Sequence, residues 1–168
     1  YYVYNPNHYS FEIPDMLIGQ LKINELLANN ESINTDETGE YEDWIELYYD
    51  IELPINLEGY SLTDDLDNPQ KWIFPDIEIS GEGHLLIWAD DEEEEGNTHT
   101  NFKLSTSGEY IGIFDPNGIL IDGISFQEQS ADISYGRIND GSIEWQFFED
   151  PTPGASNFVI DNLGDKIG

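Results

Sequence analysis

Between residues 109 and 124 the chain reads Glu109-Tyr110-Ile111-Gly112-Ile113-Phe114, then Asp115-Pro116-Asn117-Gly118, then Ile119-Leu120-Ile121-Asp122-Gly123-Ile124. Two apolar runs joined by four turn-forming residues predict a β-hairpin, with turn chemistry that suits its position. Similar runs recur along the chain. Strands are predicted at 20–26, 43–49, 57–62, 71–74, 84–89 (with 77–79 as a short lead-in), 133–137 and 144–148. Gly, Pro, Asn or Asp punctuates most of them. In the first, Leu21, Ile23 and Glu25 alternate with Lys22, Asn24 and Leu26. In the second, Ile45, Leu47 and Tyr49 share a face. About nine short strands without a strong helical period predict an all-β sandwich or barrel. No fixed period repeats, which argues against a solenoid or propeller.

A chain of 168 residues fits one domain and can bury roughly 70% of its unfolded surface. Charge limits its partners. There are 36 Asp and Glu against 5 Lys and Arg, a formal net charge of -31. The 13% aromatic content and the apolar alternation argue for a packed core over disorder. Self-repulsion on this scale opposes compaction, so salt or bound cations are expected to stabilise the fold; a solubility adaptation explains the same charge equally well. The five cations, Lys22, Lys71, Lys103, Arg137 and Lys166, are scattered. Nucleic acid and anionic membrane surfaces are therefore poor partners. Cysteine is absent, which excludes disulfides, thiolate metal sites and thiol catalysis. No apolar run approaches the roughly 18 residues of a membrane span, and no signal peptide is visible. The opening Tyr1-Tyr2-Val3-Tyr4 suggests a portion of a longer polypeptide. The expected organisation is an N-terminal extension at 1–19 (a linker or an edge strand), one domain at 20–157 and a tail at 158–168.

Several strings, in order, resemble the lamin tail domain. They include Lys22-Ile23-Asn24-Glu25, Asp43-Trp44-Ile45-Glu46-Leu47-Tyr48 and Leu57-Glu58-Gly59-Tyr60-Ser61-Leu62. They continue with Lys71-Trp72-Ile73-Phe74-Pro75, Leu85-Leu86-Ile87-Trp88-Ala89-Asp90 and His99-Thr100-Asn101-Phe102-Lys103-Leu104-Ser105. Asp132-Ile133-Ser134-Tyr135-Gly136-Arg137 and Pro151-Thr152-Pro153-Gly154 close the series. The likeness spans 20–157 and is nearer to exported bacterial members than to animal lamins. It implies an immunoglobulin-like β-sandwich of Greek-key type without catalytic residues. It further implies a structural or protein-interaction module of a larger exported protein, located outside the cell or at its surface. The isolated domain is expected to be a monomer, with its protein partner unspecified. The heptad rod and basic patch of nuclear lamins have no counterpart here, so filament assembly and chromatin binding do not carry over.

Several constellations are candidates for ligand chemistry. Asn34-Thr35-Asp36-Glu37-Thr38-Gly39 has the early spacing of a calcium loop, but its twelfth place is Ile45 where a bidentate Glu is needed. An irregular calcium site drawing on Asp36, Asp64, Asp65 and Asp90, with Glu37 and Asp67 nearby in sequence, stands against solvated loops and turn formers. No cofactor is required. The run Asp90-Asp91-Glu92-Glu93-Glu94-Glu95 is expected to be a solvated loop. His8, His84 and His99 have no zinc-ligand spacing, and His99 is expected to be a hydrogen-bonded structural residue. Neither Ser105 nor Ser107 has a nucleophile elbow around it. Trp72 and Trp88 are expected in the core, whereas Trp145 with Tyr48 and Tyr60 forms a candidate carbohydrate-stacking face. A calcium- or carbohydrate-binding accessory domain that attaches an enzyme to a surface is thus the alternative reading.

Overall fold

In the computed structural model, residues 20–160 and 166–167 are described; the expected extension at 1–19 lies outside the described residues. The strands in chain order are β1 (Leu21–Leu27), β2 (Trp44–Tyr49), β3 (Ile55–Asn56), β4 (Ser61–Thr63), β5 (Trp72–Ile73) and β6 (Glu78–Ile79). They continue with β7 (Gly83–Trp88), β8 (Tyr110–Phe114), β9 (Leu120–Ser125), β10 (Ser134–Arg137) and β11 (Trp145–Phe148). Within the expected tail, β12 (Val159–Ile160) pairs antiparallel with β13 (Lys166–Ile167).

Two antiparallel sheets carry the domain. One is ordered β11-β10-β1-β2-β7 and the other β5-β4-β8-β9, with a small β3-β6 ladder beside them. The all-β, immunoglobulin-like sandwich expected from the sequence is the observed architecture. Between the sheets, Ile23, Leu47 and Ile87 from one face meet Leu62, Ile111 and Ile113 from the other. Each fully buried side chain of this size contributes roughly 1.5–3 kcal/mol. Trp72 belongs to this core, whereas Trp44 and Trp88 form a smaller cluster with Leu27.

The β8–β9 hairpin forms where its turn chemistry places it. Asp115 Oδ1 accepts from the N–H groups of Asn117 (2.9 Å) and Ile119 (2.7 Å). Gly118 adopts φ +78°, and a Cβ there would meet nothing within 4 Å. Gly118→Ala therefore costs only backbone strain, expected as a loss of about 1 kcal/mol in urea unfolding with the sheet registers unchanged.

β1 departs from simple alternation. Its register against β2 shifts between Ile23 and Glu25. The bulge inserts an extra residue and changes the phase. Leu21 and Ile23 face the core before it and Leu26 after it, while Glu25 is turned away and buried. The expected grouping of Glu25 with Leu21 and Ile23 is thus corrected. β10 pairs only Glu25 and Leu26 of β1, so it stops short of Ile23. There, the Ile23 N–H donates to Asp122 Oδ2 (2.9 Å), and Arg137 Nε donates to the Ile23 carbonyl (2.7 Å). Arg137 Nη2 also binds Asp122 Oδ2 (2.8 Å). Because Asp122 lies on β9 and Arg137 on β10, this trio joins the two sheets.

Candidate functional site

At one end of the sandwich, two loops bring acids around His99. The loop after β1 is braced by Asn30, whose Nδ2 donates to the carbonyls of Asn34 and Glu42 (both 2.8 Å). Trp44 Nε1 donates to Asn34 Oδ1 (2.9 Å). Within the loop, Asp36 Oδ1 accepts from the N–H groups of Thr38 (2.8 Å), Gly39 (2.8 Å) and Glu40 (2.9 Å). Burial disfavours the Asp36 charge, but these donors outweigh it and hold the carboxyl below its ordinary pKa.

The second loop leaves β7 and returns to it. Trp88 N–H donates to the Thr98 carbonyl (2.8 Å), and Thr100 N–H donates to the Trp88 carbonyl (2.9 Å). Between these anchors, Glu93–Glu95 form a 3₁₀ turn with no buried residue, in keeping with the expected solvated loop, whereas Asp90 at the start of the acidic run is buried. His99 is 0% exposed. Its Nδ1 bonds the buried Asp90 carboxylate, and its Nε2 stands 3.2 Å from Glu37 Oε1. Burial disfavours imidazolium, but the Asp90 bond and the Glu37 contact outweigh it and raise the His99 pKa. The ligand atoms of Asp36, Glu95 and His99 all lie within 4.8 Å of one another.

A second polar cluster lies on the outer face of the five-stranded sheet, beneath residues 151–157. Ser134 Oγ donates to Glu25 Oε1, and Thr152 Oγ1 donates to Glu25 Oε2 (2.8 Å). Glu46 accepts from Asn24 Nδ2 (3.1 Å) and Gly154 N–H (2.6 Å). Burial raises the Glu25 pKa and pushes Glu46 up to about 7. Nearby, Asp140 Oδ2 lies 3.3 Å from His84 Nε2, and Asp140 accepts from Asn157 N–H (2.9 Å). These groups can hold protons, but Glu25 and Glu46 are sealed from solvent.

The third feature is the edge of the same sheet. β11 pairs only with β10 among the described residues. Tyr135 stacks on Trp145 at 5.2 Å and tilts against Phe147 at 5.0 Å, and the Arg137 guanidinium sits 4.9 Å from the Trp145 ring centre. Phe147 is 52% exposed and Ile143, just before β11, is 91% exposed. A pocket lined by Ser125, Gln127, Tyr135 and Phe147 opens beside them.

The sequence candidates fall in different places. Asp36 and Asp90 both come to His99, with Asp36 facing the cluster and Asp90 behind the ring. Asp64 is paired with Lys71 (2.6 Å), and Asp65 Oδ1 accepts from Asp67 N–H (2.9 Å) in the β4–β5 turn. Tyr60 is buried in the core, Tyr48 packs on His84 at 5.0 Å, and Trp145 lies against the core side of β11. The three rings therefore share no surface. Glu95 was hidden within the acidic run, and Tyr135 and Phe147 looked like ordinary strand residues. Pairing β10 with β11 is what brings those two rings together.

The two-sheet architecture sets up a comparison with known domains. No curated protein matches the chain. A sequence model for the Lamin Tail Domain matches residues 15–128, about two thirds of the chain and all of β1–β9. With nine strands of the immunoglobulin-like sandwich inside that span and β10 and β11 beyond it, the chain belongs to the lamin tail domain family.

Proposed function

We propose that this domain is a non-catalytic protein-interaction module of a larger exported bacterial protein, and that it binds its partner along the β11 edge. The observation that carries this reading is the Tyr135–Trp145–Phe147 group beside an edge strand with exposed Phe147 and Ile143. Unpaired edges and clustered apolar groups are common binding surfaces. The other edges offer less. β5 has two residues, β9 is engaged with Ile23 through Asp122, and His99 and Thr100 cover the end of β7. Glu144, Glu149 and Asp150 flank β11, so the surface suits a partner with an apolar strip between basic groups. The buried state of Glu25 and Glu46 supports a non-catalytic role, and the ground for the exported context is the resemblance of the sequence strings quoted above.

A photo-cross-linking residue at position 147, in the full-length protein in its own cells, tests the reading. Position 73 on β5 is the control, since Ile73 is also exposed. Discrete protein adducts from 147 but not from 73 are expected. Equal labelling, or none from 147, would contradict the proposed edge.

A further inference from the structure

We propose that Asp36, Glu95 and His99 form a binding site for a divalent first-row transition ion. This inference is independent of the β11 reading. The three ligand atoms lie within 4.8 Å of one another, a spacing one ion can bridge. Acids alone would be an ordinary solvated cluster. The distinguishing feature is the orphaned pair of atoms within it. His99 is fully buried and its Nε2 makes no hydrogen bond; Glu95 Oε2 is also buried without a hydrogen-bond partner. Glu37 Oε1 approaches Nε2 at 3.2 Å without hydrogen-bond alignment. It supplies a further oxygen from the solvent side, where the Glu37 side chain is 56% exposed.

The support behind the imidazole matches what a metal ligand requires. The Asp90 carboxylate bonds Nδ1, which fixes the ring orientation and directs Nε2 forward, so an ion bound there displaces the Nε2 proton. Asp36 is equally constrained, because three backbone N–H groups hold its Oδ1. Beyond Glu95, the carboxylates of Glu40 and Glu92 also approach within 4.8 Å, adding negative potential and partners for metal-bound water. Both loops are anchored to the sheet at their bases, so the donors are held before an ion arrives.

The donor set selects the ion class. Calcium and magnesium favour oxygen-only shells, whereas imidazole with carboxylates suits zinc, manganese or iron. The calcium expected from acidic spacing is therefore replaced at this site by a borderline ion. The best-matched probe is Zn2+, with Mn2+ as its paramagnetic counterpart.

Calorimetric titration of Zn2+ into the metal-stripped full chain, at high fixed ionic strength, tests this. One saturable ion per chain is expected. Glu95→Gln is expected to weaken binding by roughly tenfold or more, since even outer-shell changes have effects of that size. Glu93→Gln removes the same charge from an exposed neighbour and is expected to leave the affinity unchanged. Because Glu95 lies on a surface turn, its variant keeps the fold where a His99 variant could fail. Substoichiometric Mn2+ is expected to broaden the His99 ring resonances before those of His84 or His8. Any of three results would overturn the site: no saturable Zn2+ binding, equal losses in both Glu variants, or broadening centred on another histidine. Calcium binding as tight as zinc binding would overturn the ion class.

Discussion

Arg137→Ala is expected to lower stability by about 3–5 kcal/mol, roughly 10 °C in Tm for a domain of this size. Arg137 is buried and donates through all three guanidinium nitrogens: to the Ile23 carbonyl, to Asp122 and to the Ser142 carbonyl. Its removal leaves Asp122 as an uncompensated, mostly buried charge and the Ile23 carbonyl without this donor. It also removes the cation from the Trp145 ring. Arg137→Lys is expected to recover little, since an ammonium cannot span three acceptors in fork geometry. The Arg137→Met, Asp122→Ala pair is expected to lose less than the sum of its single variants, because no unpaired charge remains. Chemical unfolding of the wild type, Arg137→Ala, Arg137→Lys, Arg137→Met, Asp122→Ala and the paired variant measures this. A change below about 0.5 kcal/mol for Arg137→Ala would mean that water serves the trio as well as the guanidinium does.

Stability is expected to fall as pH rises from about 4.5 to 7. In Glu46, burial favours the neutral acid and places its folded pKa at about 7, against an ordinary value of 4.5. Below 4.5 the carboxyl is protonated in both states and carries no penalty. Between 4.5 and 7 only the unfolded chain releases the proton, so stability is lost; above 7 the loss is complete. For Glu46 alone this amounts to roughly 3 kcal/mol. Glu25, raised by burial, and Asp43, pushed by burial to about 6, act in the same sense. His84 does too: burial lowers its pKa, but Asp140 and Glu46 outweigh that and raise it, so its stabilisation is lost at higher pH. Asp140 opposes them, since His84 and the Asn157 N–H overcome its burial and lower its pKa; its stabilisation is lost below about pH 4. Glu46→Gln is expected to flatten the profile between pH 5 and 7.5 by roughly 3 kcal/mol. Slope carries the test rather than absolute stability, because the amide must donate where the carboxylate accepted. Parallel profiles would show that Glu46 ionises in the folded protein as it does in the unfolded chain.

Legibility followed the range of the interaction. The β8–β9 hairpin and the Ile45–Leu47–Tyr49 face of β2 depend on neighbouring residues, and alternation reveals them. β3 has only two residues and falls below any periodic signal. The β1 bulge reverses the phase at Asn24, yet its supports, Asp122 and Arg137, are about a hundred residues away. Glu46 alternates like a solvent-facing residue. It is buried because 151–157 crosses a sheet face that strand patterning leaves open. For the same reason Asp36 was legible as a candidate while Glu95 was not. One stands in a loop with ligand-like spacing, and the other is one of four consecutive glutamates distinguished only by the 3₁₀ turn. Trp145 stood out by residue type, but its neighbours Tyr135 and Phe147 follow from strand pairing.

If β11 is the binding edge, its amides become protected when the partner binds. Amide hydrogen exchange tests it most directly, using the domain alone and with the protein captured through position 147, purified and added to saturation. Slower exchange confined to Ile143 through Phe148, with β5 unchanged, is expected. Unchanged exchange along β11, or protection appearing instead at Trp72 and Ile73, would contradict it.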